Sequence, residues 1–537
     1  MTTSAIMKQG VHHIPYRETG FFSQLVIDFL SEHPSVRPFY QYSPVKPDYE
    51  GAIRAKSTQP LDRELLVRAL EEQYTALNPE ETVKNNIRLL GQSNTFSICT
   101  AHQPNIFTGY LYFVYKILQT VKLAADLKQQ FPEKNFVPVY YMGSEDADLD
   151  ELGSIYLDDK KLTWNTGQQG AVGRMNTKGL EVITEEIVKK LSFAPFGEEV
   201  KEILETAYGQ HDTIQQATLY LVNRLFGRYG LVVLIPDTPL FKKQIKHILK
   251  EELWQQSSHK IVSGTTEEIL QHHKVQASPR EINLFYLQEN SRERIVKDGE
   301  LWKVLHTPLV FDEQGLKAEI EQHPERFSPN VILRGILQET ILPNVAFIGG
   351  GGEIAYWIEL KALFEHYSVP YPILLLRNSF LWVDKFSSER LQKLNISITE
   401  FFQETELLIN SYVHKNTNNN LVLKKEYEDI EILFAQLETK AKSIDVTLVA
   451  SVNAELKRAM KSLGKVEHKF LRAEKKKFEW QTEQIRQLKA RLFPSNSLQE
   501  RRENFLPYYA QFGPAFFDRL LEAMTPVTDQ FCVIAEA

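Results

Sequence analysis

The sequence predicts an α/β protein: a parallel, doubly wound sheet broken by insertions, followed by an α-helical coiled coil. Three observations predict it. Residues 96–127 (FSICTAHQPNIFTGYLYFVYKILQTVKLAADL) pass from a short apolar run through a polar turn into apolar residues at helical spacing, namely Leu111, Tyr115, Leu118, Val121 and Ala125. Four more short apolar runs, at 136–142, 231–235, 345–348 and 371–376, each precede or follow a helical pattern, the rhythm of parallel strands joined by crossover helices. From 373 to 493 there is no proline and the only glycine is Gly464, so that stretch reads as long helices.

Composition narrows the function classes. A chain of 537 residues, 43% hydrophobic and 24% charged, is an ordinary globular composition with room for about three or four domains. The formal charge of −7 argues against a broad nucleic-acid surface, so no nucleic-acid partner is expected. No apolar run approaches the roughly 18 residues of a membrane span, so no membrane partner is expected. The start, MTTSAIMKQGVHH, lacks the apolar stretch of a secretory signal. The two cysteines, Cys99 and Cys532, form no CxxC pair, which points to a reducing cytoplasm and away from a cysteine-rich metal site.

The chain then reads in order. Residues 1–95 are polar and mostly helical, with helical spacing at 61–77 and 80–90. His12 and His13 would diverge by about 100° on a helix, which disfavours them as a ligand pair. After the run at 136–142 comes a polar stretch to about 210, with Trp164 and a glycine-rich segment at 167–173, expected as irregular or antiparallel structure. A helix at 217–228 leads to the strand at 231–235, and Asp237-Thr238-Pro239 opens another helix with a capping residue ahead of proline. Runs at 282–287 and 300–305 are expected to pair around a polar turn. Ser328-Pro329-Asn330 precedes a helix at 332–342. The strand at 345–348 ends in Gly349-Gly350-Gly351-Gly352-Glu353, and the helix after it should bury Trp357, Leu360 and Phe364. Apolar residues at 430, 434, 437, 441, 444 and 448 make a heptad seam, continued at 463, 466, 470 and 473 and at 485, 488 and 492. That pattern is a helical hairpin with its turn near 443–446, stopped by Pro494. The tail from 498 to 537 returns to the core.

Three strand ends carry chemistry. His102, Gln103, Asn105 and Thr108 sit between a strand and a helix, where free amides and neutral donors suit a phosphate or an oxyanion. His102 is a phosphate donor if protonated and an acid or base if neutral; the competing reading is a turn punctuated by Pro104 and Gly109. Ser144-Glu145-Asp146-Ala147-Asp148 could bind an ammonium group, sugar hydroxyls or Mg²⁺, act as a base, or be a solvated acidic loop. The glycines from Gly349 to Gly352 allow close backbone approach to a ligand, or simply a tight turn; they lack a P-loop pattern, and Glu353 suits an amine. Asn330, Arg334 and Arg377 could hold a carboxylate or phosphate, or be surface groups.

These segments resemble a known family. TAHQPNIFTGYLYFVYK, YYMGSEDADLDE, the block at 327–377 and LFPSNSLQERRENFLPYYAQFGP are similar to segments of the bacillithiol-biosynthesis cysteine-adding enzymes (BshC). Two departures stand out: Ala101-His102-Gln103 replaces Gly-Gln-Gln, and Ala147 replaces a histidine. The resemblance implies a Rossmann-like core of the class I aminoacyl-tRNA synthetase type. It divides the chain into core at 1–155, 213–254 and 328–384, connecting insertions at 156–212 and 255–327, a coiled coil at 385–496 and a returning segment at 497–537. It implies addition of cysteine to the amine of glucosaminyl-malate by amide formation, with ATP or another nucleotide for activation and the metal requirement open. Carried onto this sequence, it implies Glu145 and Asp146 as catalytic; His102, at a departure from the family pattern, is expected to join them from its own chemistry at the strand end. The resemblance puts Gln103, Asn105, Thr108, Gly109, Ser144, Asn330, Arg334, Gly349, Gly351, Glu353 and Tyr356 in the substrate pocket; Arg377 is expected to join them as a carboxylate or phosphate binder, and Arg501 and Asn504 are expected near the nucleotide. The heptad seam implies a homodimer. The alternative is a non-catalytic, synthetase-like interaction protein that recruits partners through the coiled coil.

Overall fold

A computed structural model describes residues 10–158 and 160–536. The expectation about an N-terminal leader falls partly on residues 1–9, outside the described residues. The strands, in chain order, are β1 (Gly10–Pro15), β2 (Thr95–His102), β3 (Asn135–Met142), β4 (Ser154–Leu157), β5 (Lys160–Thr163), β6 (Val232–Leu234), β7 (Leu284–Gln288), β8 (Ser291–Asp298), β9 (Leu301–Val304), β10 (Val310–Phe311), β11 (Phe327–Pro329), β12 (Asn344–Gly349), β13 (Ile373–Leu376), β14 (Phe380–Val383) and β15 (Gln530–Ala535).

The five core runs form one parallel sheet in the order β13-β12-β2-β3-β6. Every residue of β2 is buried, as a strand covered on both faces requires. The order reverses at β2: the chain builds outward to β3 and β6, then returns to the other side with β12 and β13. Crevices at such a reversal, beyond the carboxyl ends of the strands, are where open α/β sheets take ligands. Helix Leu111–Gln130 packs on β2 and β3. Behind β12, Trp357 stacks on Phe347 at 4.5 Å, and Trp357, Leu360 and Phe364 are fully buried.

The insertions differ from expectation in detail. The first holds a β4–β5 antiparallel hairpin but also the helices Leu180–Leu191 and Gly197–Gly209, whose apolar faces were hidden in a polar average. In the second, the runs at 282–287 and 300–305 do not pair with each other. Strand β8 lies between them, giving an antiparallel sheet β10-β9-β8-β7-β11. Its charged SRERIVKD sequence masked it, because Ile295 is its one buried residue. His12 and His13 are on strand β1, not a helix, opposite Val533 and Cys532 of β15. The tail does return: β15 also pairs with β14, in parallel.

The hairpin arms are Lys424–Ile444 and Leu448–Lys477, continued by Glu479–Leu492. Asp445 caps the turn, accepting the Thr447 N–H at 2.8 Å. The six-position seam splits. Ala441 is buried, and Ile430 and Phe434 are half-buried, whereas Leu437, Ile444 and Leu448 are exposed. Helix Thr405–Asn416 packs on the second arm, and the base of that arm buries Ile485 and Leu488.

Candidate active site

A cleft of about 690 Å³ opens at the carboxyl ends of β2, β3 and β12, roofed by the β7–β8–β11 face of the second insertion. Of the residues expected at the site, His102, Gln103, Ser144, Glu145, Asp146, Asn330, Arg334, Gly351, Glu353, Tyr356, Arg377 and Arg501 line it. Asn105, Thr108, Gly109, Gly349 and Asn504 do not, and their surroundings explain why.

Gly109 has φ +72 and ψ −122, a conformation open to glycine, and a Cβ there would meet the Asn105 side chain at 3.0 Å. Asn504 donates to the carbonyls of Phe107, at 2.9 Å, and Gly109, clamping the turn from behind rather than facing a ligand. A Cβ on Gly349 would strike the Phe347 ring at 2.9 Å and Glu353 Cβ at 3.0 Å, so that glycine serves packing. Asn105 and Thr108 are buried behind the turn, with their side-chain polar atoms unpartnered.

His102 ends β2 between the rings of Tyr112 and Phe113, at 5.4 and 5.5 Å. Burial first, then the cations of Lys116, Arg334 and Arg377, hold its imidazolium well below the ordinary histidine range. It is therefore neutral near pH 7 and not a cationic phosphate donor. Its Nε2 has no partner within the protein.

The acidic loop divides its work. Glu145 is not a free base: one oxygen meets the buried Lys242 ammonium, and the other accepts the Ser328 hydroxyl at 2.9 Å. Asp146 accepts only Gln103 Nε2 at 3.3 Å and the Asp148 N–H at 3.1 Å, with no cation within 4 Å among the described residues. The glycine-rich segment of the first insertion fixes this loop. Val172 N–H donates to the Asp146 carbonyl at 2.7 Å and Gly173 N–H to that of Ser144 at 3.0 Å, where a Cβ on Gly173 would clash at 2.5 Å.

On the β12 side, Glu353 accepts the Gly350 N–H at 2.9 Å and the Lys116 ammonium at 2.6 Å. Lys116 also donates to the Ala101 carbonyl, tying β2 to the glycine turn. Sequence reasoning missed Lys116; its signal was a single charge in the otherwise uncharged run 111–121 of the helical pattern. Arg377 pairs with Glu500 at 2.5 Å and lies 5.2 Å over the Tyr112 ring. Asn330 caps helix Val331–Ile341 through the Ile332 N–H at 2.9 Å while also lining the cleft. Arg334 donates to the Tyr356 hydroxyl, and neither it nor Arg501 has a carboxylate within 4 Å among the described residues. Also missed were Arg280, Arg292 and Arg294, which line the roof. Among the described residues no cluster of three or more histidine, cysteine or carboxylate side chains could hold a metal ion.

The donor set suits a polyanionic nucleotide beside an amine. Unpartnered groups at the β2 and β3 ends (His102 Nε2 and Ser144 Oγ) lie with unpaired guanidinium groups and one free carboxylate.

Two family models cover the chain. The description "Bacillithiol biosynthesis BshC, N-terminal Rossmann-like domain" matches residues 9–378, and the C-terminal coiled-coil domain of the same family matches 380–536. Relatives named "Putative cysteine ligase BshC" are 38% identical in Flavobacterium psychrophilum, over 98% of this chain and 99% of that one. In Flavobacterium johnsoniae the figure is 37%, over 97% and 99%; in Christiangramia forsetii it is 37%, over 97% and 98%. A solved Campylobacter jejuni structure titled "putative arginyl t-RNA synthetase" covers 80% of this chain and 86% of its own, at 10% identity and a TM-score of 0.19, too low to carry an argument. The Rossmann-like sheet, the coiled coil and the near full-length likeness agree: the chain belongs to the bacillithiol-biosynthesis BshC family.

Proposed function

We propose that this cleft is the active site of a cysteine ligase that joins cysteine to the amine of glucosaminyl-malate by an amide bond, completing bacillithiol. The observation that carries it is one cleft holding a free carboxylate, Asp146, a neutral imidazole, His102, and unpaired guanidinium groups, in a chain of this family. Asp146 binds a substrate ammonium. His102 accepts the proton that the amine nitrogen loses as the C–N bond forms and the activated carboxyl oxygen leaves. Arg334 and Arg501 would hold a nucleotide's phosphates, with the unpartnered Ser144 hydroxyl beside them. A bound nucleotide supplies activation of the cysteine carboxylate. Glu145 acts as a positioning residue through Lys242 and Ser328.

We place the reaction in the cytoplasm, supported by two free, buried thiols, Cys99 and Cys532. Among the described residues no helix is long and apolar enough to cross a membrane. Exposed Leu437, Ile444, Leu448, Val466 and Phe470 support a homodimer through the hairpin, and the same surface favours the interaction-protein reading if catalysis is absent. Light scattering tests assembly: a dimer in wild type and a monomer in the Phe434→Glu, Leu437→Glu variant are expected, and a concentration-independent wild-type monomer contradicts the dimer. Thiol analysis tests the reaction. A deletion strain should lack bacillithiol and regain it with the wild-type gene; an unchanged thiol pool on deletion contradicts the ligase.

A further inference from the structure

We infer that the second insertion builds a separate anion subsite, in which Arg292 and Arg294, joined by Arg280, hold a compact dicarboxylate. Under the ligase reading, on which this identification rests, the dicarboxylate is the malate head of the acceptor. Strand alternation sets the geometry. Arg292 and Arg294 are two apart on β8, so both project from one face, roughly 7 Å apart along the strand. The intervening Glu293 projects from the other face, where it meets His306 at 3.0 Å. Ile295 is buried on that same opposite face. Ile295 is therefore the member of β8 that the core takes, and the arginines on the opposite face reach the cleft.

The subsite is built in advance of any ligand. The Arg292 guanidinium lies 3.9 Å over the Phe285 ring, and its Nε donates to Ser328 Oγ at 3.1 Å. Ser328 is itself oriented by Glu145, whose charge is already matched by Lys242. Arg280 sits on the loop before β7, which two buried acids fix. Glu359 accepts the Gln276 N–H at 2.7 Å and the Ala277 N–H at 3.2 Å. Glu252 accepts the Asn283 N–H at 2.7 Å, and Asn283 Oδ1 accepts the Arg280 N–H at 2.9 Å.

None of the three guanidinium groups has a carboxylate within 4 Å among the described residues, although all line the cleft. Cations gathered without counter-ions repel one another, and an anion arriving between them relieves that repulsion. Planar forks match planar carboxylates two bonds at a time, and two forks on one strand face suit two carboxylates on a short chain. A nucleotide phosphate is the other anion of the cleft, and the test separates the two.

The test is titration calorimetry on the full-length protein at fixed salt, with glucosaminyl-malate, glucosamine and ATP as probes. Wild type should bind glucosaminyl-malate far better than glucosamine. Arg292→Gln and Arg294→Gln should each weaken the malate conjugate about 10- to 100-fold and leave ATP affinity unchanged. Arg294 is half-buried and its side chain has no partner among the described residues, so its variant should fold as wild type even if Arg292→Gln does not. Wild-type affinity for the conjugate in Arg294→Gln, or loss of ATP affinity instead, overturns the subsite. If the arginines govern conjugate binding but the wild-type gene restores no thiol, the ligase reading falls and the subsite stands. If thiol is restored while Arg294→Gln leaves the dependence on glucosaminyl-malate concentration unchanged, the subsite falls and the ligase stands.

Discussion

The two walls of the cleft handle charge in opposite ways. On the parallel-sheet wall three buried cations are matched within the protein, Lys116 with Glu353, Lys242 with Glu145 and Arg377 with Glu500, and Arg334 and Asp146 are the exceptions. On the insertion wall, Arg280, Arg292 and Arg294 have no carboxylate partner among the described residues. The first arrangement fixes geometry at the strand ends, because a buried ion must be paired to be tolerated. The second keeps cationic charge available to a ligand. A perturbation of the first wall should therefore cost stability, and one of the second should cost binding.

The sharpest contrast is Lys242→Met against Arg294→Gln. The first strands the Glu145 carboxylate in a buried setting and should lower unfolding free energy by about 3–5 kcal/mol in denaturant titration. The second should stay within about 0.5 kcal/mol of wild type. Equal losses in the two variants would erase the distinction between the walls.

Glu359 gives the next largest effect. Burial pushes its carboxyl up to about 7, against hydrogen bonds from the Gln276 and Ala277 amides that favour the charged form. Below the ordinary carboxyl value of 4.5 both folded and unfolded chains hold the proton. Between 4.5 and 7 the unfolded chain releases it first, so stability falls as pH rises through that window. Relative to Glu359→Gln, wild type should lose on the order of 2–3 kcal/mol between pH 5 and pH 8. A pH-independent difference between the two proteins would show that the loop anchor does not titrate.

Asp146→Asn sharpens the comparison from inside the sheet wall. Asp146 is the loop acid without a cation, so its loss should spare folding and lower thiol production about 10- to 100-fold. Unchanged thiol with Asp146→Asn would remove that residue from the site.

How much was legible follows the same division. The parallel strands were readable because strands buried on both faces are continuous apolar runs, and the strand-end turns stood out as polar interruptions. The acidic loop and the glycine turn were placed correctly at the cleft. The pairing that silences Glu145 was not readable, since Lys242 lies 97 residues away in sequence. Strand β8 was missed because both of its faces carry charges and only Ile295 is buried, so it has no apolar alternation to read. Lys116 was passed over because the helix around it is apolar on nearly every side. The seam of the hairpin was found, but heptad spacing could not tell the inward Ala441 from the outward Leu437 and Ile444.

The central claim is that the reaction takes place in this cleft, and Arg334 tests it most directly. It lies beside Tyr141 and Tyr356, bonded to the Tyr356 hydroxyl, with no carboxylate to neutralise it. Bacillithiol content should be measured in the deletion strain carrying Arg334→Gln at wild-type protein level. The account predicts a fall of at least about tenfold. Wild-type thiol content in that strain would contradict it.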